Sequence, residues 1–279
     1  MAMTHSLTLR IAAYALAIAA SIFFVFPYLW MISASFKDTE AILTAPLQLI
    51  PETINLDAYR SIAMMSGVPL ATYVWNSIWI TFASTVFTLL TTSFGAYAIY
   101  RAPNLPGFGL LRVGFLLVIM YPYMLLVLPV YLVMFKLGLL GTVTGIILFL
   151  SVGPIQFFLF EQFFRSIPSE VIEAAQMDNA SEAKILLRIV APMARPVVVT
   201  VTLITILLNW AQWFPILVIS RSTDTYTLPV ALLSLNSELG VNFQGIMALA
   251  TLTTLPVVLI YLATQKYVIE GMISGAVKG

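Results

Sequence analysis

The sequence predicts an all-α, polytopic membrane protein of about six transmembrane helices. Three observations predict it. Of 279 residues, 61% are hydrophobic and only 9% are charged, against roughly 25% charged in soluble domains. A water-soluble fold of this size could not hide that much apolar surface, whereas lipid solvates it. Second, six apolar stretches reach the ~20 residues that an α-helix needs to cross about 30 Å of hydrocarbon. Third, almost no ionisable side chain interrupts them.

The predicted spans cover about 11–36, 71–99, 112–135, 142–164, 197–220 and 243–265, and the whole chain, 1–279, is read as a single transmembrane domain. The first stretch is far longer than the ~7–15-residue core of a signal peptide. It is therefore read as an uncleaved span, although Ser33-Ala34-Ser35 mimics a cleavage site. Six crossings put both termini on one side. If that side is cytoplasmic, the inner segments hold Arg10, Arg101, Arg112, Arg165, Lys184, Arg188, Arg195, Lys266 and Lys278. The outer ones hold Lys37, Arg60, Lys136 and Arg221, and nine against four has the sign of the positive-inside rule. Segment 37–70 is then external and segment 165–196 cytoplasmic. Tyr28, Trp30, Tyr73, Trp75, Tyr97, Tyr100 and Tyr267 are placed as interfacial anchors.

Composition also excludes functions. A net charge of +1 offers no basic field for nucleic acid. No cysteine is present, and the single histidine, His5, lies at the N-terminal end. Thiol catalysis, cysteine or histidine metal sites and Ser-His triads within the membrane are excluded, so neither catalytic nor metal-ligating residues are assigned. Glu161 is the one acidic residue within a predicted span, near its inner end. Gradient-driven carriers place acids or bases at membrane depth, so the energy source is expected on another subunit. No GxxxxGK[ST] phosphate loop occurs, and this chain is not expected to hold ATP.

Pro27, Pro122, Pro129, Pro154, Pro215 and Pro256 punctuate the spans. Each removes a helix hydrogen bond and tends to kink the helix. Pro122, between Tyr121 and Tyr123, fits either simple bundle shape or a bent helix lining a cavity. Candidate cavity residues are the polar and aromatic side chains at membrane depth: Tyr121, Tyr123, Gln156, Asn209, Trp210, Gln212 and Trp213. Aromatic faces and amide hydrogen bonds suit the apolar faces and hydroxyl edges of sugars. The cluster Asn209, Trp210, Gln212 and Trp213 is the strongest of these.

Segment 165–196 reads as two short helices joined by a turn. Pro168 stops the membrane helix, Ser169 is placed as a cap with Glu170 in the first turn, Asn179 as a left-handed residue, Ser181 as a second cap, and Pro192 as the limit of the second helix. Glu173-Ala174-Ala175, Asn179, Ile189 and Pro192 resemble the EAA motif of permease subunits of bacterial ABC importers. That pattern is Glu-Ala-Ala, three residues, Gly, nine residues, Ile, one residue, Leu-Pro. Asn179 replaces the glycine, and asparagine is the next-best residue for a left-handed turn. Ala191 replaces the leucine.

Asn76-Ser77, Gly95-Ala96-Tyr97-Ala98 before Arg101, Pro129 with the turn from Gly138 to Thr142, and the tail from Gln265 to Gly279 look like the MalG-like permeases of carbohydrate ABC importers. Trp210-Ala211-Gln212 departs from the family's Trp-Asn-Asp/Glu. The resemblance implies that the first loop helix is a coupling helix, with Glu173, Ala174, Ala175, Asp178 and Asn179 facing an ATPase. It further implies a second permease subunit, two cytoplasmic ATPase subunits carrying ATP and magnesium, an external solute-binding protein, and the bacterial inner membrane. No cofactor belongs to this chain on that reading. The implied cargo is a di- or oligosaccharide. An importer of a phosphodiester, polyol or peptide, and a gradient-driven carrier, are the alternatives.

Overall fold

The computed structural model describes residues 7–235 and 242–276, with side chains for 9–235 and 242–265. Among the described residues the regular structure is helical apart from one two-stranded hairpin. Helices α1 (Leu7–Ala34), α4 (Leu70–Arg101) and α15 (Phe243–Ala276) are long; the first, the second, and residues 243–265 of the third are apolar enough to cross a membrane. Two bent pairs raise the number of membrane-crossing candidates to at most five. The chain divides into two compact units, residues 1–70 with 232–256, and residues 71–231 with 257–279.

In the first unit, α1 exposes its side chains all round, as a lipid-facing helix does. Its end pins the following segment: Trp30 Nε1 donates to the Pro46 carbonyl, Ser33 Oγ to that of Leu49, and Lys37 Nζ to that of Gln48. Lys37 is therefore buried but satisfied. Two short helices follow, α2 (Thr39–Thr44) and α3 (Asp57–Ile62). The hairpin β1 (Met64–Met65) and β2 (Val68–Pro69) turns through Ser66 and Gly67, at φ of 50° and 77°. Two consecutive positive φ angles match the twist of a tight hairpin.

In the second unit, α4 inverts the polarity of a soluble helix. It buries Ser77, Thr81, Ser84, Thr85, Thr88 and Thr92, and exposes Trp75, Trp79, Phe82, Phe87 and Phe94. Small hydroxyl residues let neighbouring helices approach closely, and the large apolar ones meet lipid. Ser77, Ser84 and Thr92 donate to carbonyls four residues back, at 2.6–2.8 Å, so their burial costs little. Tyr73 and Tyr97, placed as interface anchors by the sequence, are buried at 1% and 7% exposure. The side chain of Tyr267 lies outside the described residues.

The remaining predicted spans are interrupted. The 112–135 stretch is two helices, α5 (Phe108–Met120) and α6 (Tyr123–Lys136). Tyr121 is extended, at φ −84° and ψ 138°, because a residue before proline is driven out of the helical region. The 142–164 stretch is α7 (Val143–Leu150) and α8 (Pro154–Arg165), bent by 43°. Thr142 caps α7 by accepting from Gly145 N at 3.0 Å. A Cβ at Gly145 would lie 2.3 Å from the Leu139 carbonyl oxygen, so only glycine fits.

The 197–220 stretch is α12 (Arg195–Trp210) and α13 (Phe214–Ile219), parted at 211–213. Between α8 and α12 lie α9 (Ser169–Met177), α10 (Glu182–Ile185), a π-helical turn (Leu186–Val190) and α11 (Ala191–Met193). The last element of the unit's 71–231 stretch is the start of α14 (Leu228–Ser234). One core cluster joins α4, α6, α7 and α13 through Ile80, Val127, Ile146, Phe149 and Ile216. A second joins α4, α8 and the loop through Ala96, Phe157, Phe160, Phe164, Ile172 and Ile185.

Candidate functional site

The three helix breaks of the second unit share one feature. Tyr121 and Tyr123 flank the α5–α6 break, Val152 and Pro154 the α7–α8 break, and Gln212 sits in the α12–α13 break. All five line a single cavity of about 460 Å³. That volume suits a small organic ligand. Broken helices at membrane depth are tolerated where backbone lines a cavity or is buried in protein. The rest of the wall is mainly apolar, including Leu126, Phe149 and Ile155, and among the described residues no lining side chain is charged.

Five of the seven sequence-predicted pathway residues meet there: Tyr121, Tyr123, Gln156, Asn209 and Gln212. Two do not. Trp210 follows Asn209 on α12 but is buried at 7% exposure, and Trp213 is 40% exposed with its ring edge-on to Phe214. Adjacent helical residues point about 100° apart, which separates Trp210 from Asn209, and the break at 211–213 separates Trp213 from Gln212. The amides are partly committed to structure. Gln156 Nε2 donates to Thr205 Oγ1 at 3.2 Å, and Asn209 Nδ2 donates to Ser84 Oγ at 2.9 Å. Their carbonyl oxygens, with Gln212 and the two tyrosines, supply the polar side of the wall.

In loop 165–196, α9 ends as the sequence predicts. Asn179 has φ 53°; its N–H donates to the Gln176 carbonyl at 2.9 Å, and that of Ala180 to the Ala175 carbonyl at 3.0 Å. This pair of bonds closes a helix C-terminus around a left-handed residue. Ser181 caps α10, accepting from Lys184 N at 3.4 Å. Two details differ. Ser169 is the first helical residue, after Pro168, and makes no capping bond. Pro192 does not end the second helix. The preceding π turn takes the Ala191 N–H to the Leu186 carbonyl and absorbs the missing proline donor.

The faces of α9 are also sorted differently from the expectation. Ile172 and Ala175 are buried against the chain itself, with Ile185 and Val190. Ala175 is therefore not on the free face. Glu173, Ala174, Gln176, Met177, Asp178 and Asn179 are exposed. Met177, at 83% exposure, was not singled out from the sequence; a large apolar side chain in an otherwise polar turn was the available signal.

The loop is tied to the membrane helices by charge. Arg101, the last residue of α4, grips Glu182 with two parallel bonds, Nη2 to Oε1 at 2.5 Å and Nε to Oε2 at 3.1 Å. Tyr97 Oη donates to Glu182 Oε2 at 3.2 Å. Hydrogen bonding from Arg101 holds the Glu182 carboxyl below its ordinary pKa. Glu161, 2% exposed, accepts at Oε1 from Arg165 Nη2 at 2.9 Å and pairs with Arg112 Nε at 3.1 Å. It is an ion-paired clamp between α5 and α8 and lies off the cavity.

Known proteins resemble this chain in sequence and in fold. Residues 92–274 match the family described as binding-protein-dependent transport system inner membrane component. An arabinooligosaccharides transport system permease protein of Halalkalibacterium halodurans is 33% identical over 91% of each chain. A trehalose transport system permease protein of Mycobacterium tuberculosis is 31% identical over 91% of this chain and 92% of its own. A chain from the crystal structure of a bacterial ABC transporter involved in the import of the acidic polysaccharide alginate aligns with a TM-score of 0.80. It is 25% identical, over 95% of this chain and 99% of that one. The chain belongs to the family of binding-protein-dependent transport system inner membrane components: it is a membrane-embedded permease subunit of an ABC importer.

Proposed function

We propose that this chain forms half of the translocation pathway of an ATP-driven importer for a di- or oligosaccharide. The partners are a second permease subunit, two ATPase subunits that bind ATP and magnesium, and an external solute-binding protein that delivers the sugar. The observation that carries the reading is the uncharged cavity at the three helix breaks. Tyrosine rings offer faces to the apolar side of a sugar ring, and amide groups match its hydroxyls. Relatives named for arabinooligosaccharides, trehalose and lactose support the sugar assignment. A phosphodiester would find no counter-charge in this wall. A gradient-driven carrier would need a titratable group free to exchange its ion, and Glu161 is held by two arginines.

Uptake kinetics test the cavity. A hydrogen bond to a sugar hydroxyl contributes about 0.5–1.5 kcal/mol. Gln212→Ala is therefore expected to raise the KM for uptake about two- to tenfold with ATP hydrolysis still coupled. Trp213→Ala, outside the cavity wall, should leave KM within twofold. The reverse order would remove the cavity from the pathway.

The proposed orientation puts both termini and loop 165–196 in the cytoplasm, on the nine-to-four Lys/Arg asymmetry. The chain lacks cysteine, so Ser181→Cys gives a unique thiol. A membrane-impermeant maleimide should label it only after cells are opened; labelling of intact spheroplasts would invert the topology.

A further inference from the structure

Helix α4 is continuous where its neighbours in the second unit are broken. It runs 32 residues without proline, roughly 48 Å at 1.5 Å per residue, past α5–α6, α7–α8 and α12–α13, each interrupted near its middle. A rod transmits a displacement along its axis; a chain of short segments absorbs it at the joints. Each level of α4 is also bonded to a different partner.

At the loop end are the two parallel Arg101–Glu182 bonds and the Tyr97 hydroxyl. Planar two-point contacts of this kind fix direction as well as distance. Arg101 is 21% exposed and Tyr97 is buried, whereas Glu182 is 58% exposed, so the contact is open to water on its loop side and serves by its geometry more than by its energy. In the middle, Ser84 accepts from Asn209, a cavity residue. Near the other end, Asn76 Nδ2 donates to the carbonyls of Asp224 at 2.7 Å and Tyr226 at 3.0 Å, and Ser77 Oγ accepts from Leu228 N at 2.8 Å. Glu182 belongs to α10, joined to α9 by the turn at Asn179.

We infer that Arg101, Glu182 and Tyr97 form the linkage through which movement of loop 165–196 is passed to α4, and that α4 carries it as a rigid rod to the cavity wall at Ser84–Asn209. The inference rests on the proposed importer reading and assigns to it a route. Arg101 and Glu182 are positioning residues. They touch neither sugar nor nucleotide, and their work is to prevent α10 from sliding over the end of α4. The loop also packs on α4 and α8 through Ile172 and Ile185, and the clamp adds to that slippery apolar contact a bond of fixed direction.

The test uses the full assembly, with the second permease and the ATPase, in vesicles. Gln212→Cys supplies a reporter thiol in the cavity wall. Its maleimide labelling rate is read with and without ATP and vanadate. With the clamp intact, nucleotide trapping is expected to change that rate at least threefold. Arg101→Glu and, separately, Glu182→Arg should abolish the change while the ATPase stays attached and hydrolyses ATP within twofold of the parent. The double exchange Arg101→Glu/Glu182→Arg keeps the number of positive charges and should restore the response. Glu182→Gln, a milder variant, should give an intermediate response.

An unchanged nucleotide response in both single exchanges would overturn the linkage. So would loss of the ATPase from them, because the pair would then serve docking. No rescue in the double exchange would overturn it too. No nucleotide response even with the clamp intact would instead overturn the importer reading on which the linkage rests.

Discussion

Replacing Ala174 with tryptophan is expected to cut ATP-driven sugar uptake at least about fivefold while the chain stays folded and inserted. The face of α9 that carries Glu173, Ala174 and Met177 is exposed. An exposed methionine beside an alanine in a polar turn is the pattern of a surface that a partner covers. A small residue at the centre of such a contact lets the partner approach closely. Overpacking a tight contact by a large ring costs roughly 1–3 kcal/mol, which is about five- to 150-fold in affinity. Purified variant should therefore retain less ATPase, and hydrolysis in what remains should run without uptake. Normal uptake by Ala174→Trp in reconstituted vesicles would show that this face does not couple.

The neighbouring alanine gives the contrasting outcome. Ala175 is 7% exposed and packs with Ile172 and Ile185, at 3% and 0%. Tryptophan there has no room within the chain, so Ala175→Trp should lower the yield of folded protein. From sequence the two alanines are equivalent, both being small residues in Glu173-Ala174-Ala175. What separates them is the helical step of about 100° per residue combined with which side the core lies on. The second fact is set by Ile185, a residue in another helix.

The same logic explains how much was legible. That the chain is built of apolar helices could be read because lipid demands length and apolarity, and both are local properties; three of the six predicted spans are nonetheless each divided into two helices. The turn at Asn179 could be read because positive φ is chemically restricted. The face that each span turns inward could not. In membrane helices both faces are apolar, so hydrophobicity does not mark the buried one: α4 buries serines and threonines, whereas α8 buries Phe157 and Phe160. Tyr73 and Tyr97 therefore looked like interface anchors although they are buried. Pro122 announced a kink, but whether a cavity sits beside it depends on Gln156 and Asn209 from other helices. Arg101 and Glu182, 81 residues apart, left no mark of their pairing in either local sequence. Trp213 carried suitable chemistry, yet the α12–α13 break turned it away from the cavity. Composition supplied the candidates, and the helix breaks selected among them.

The largest stability loss among surface-neutral changes is expected at the Glu161 clamp. The carboxylate is 2% exposed, whereas Arg112 and Arg165 are 45% and 52% exposed at their side chains. That asymmetry decides which partner matters. Removing the acid by Glu161→Gln leaves two guanidinium groups that can turn to water or lipid headgroups, and the amide oxygen still accepts. Removing both bases by Arg112→Gln and Arg165→Gln leaves a buried carboxylate with its charge uncompensated. Breaking a buried pair in this way costs about 3–5 kcal/mol. Insertion should survive, since seven of the nine proposed inner Lys/Arg remain against four outer ones. The double arginine variant should therefore show a much lower temperature of aggregation in detergent than Glu161→Gln. The triple variant, with the charge gone from both sides, should recover most of the loss, because the cost lies in the unpaired charge and not in the missing contacts. Heating each variant and measuring the soluble monodisperse fraction by gel filtration ranks the three. If Glu161→Gln proves as damaging as the double arginine variant, or the triple variant recovers nothing, packing at this helix end outweighs its electrostatics.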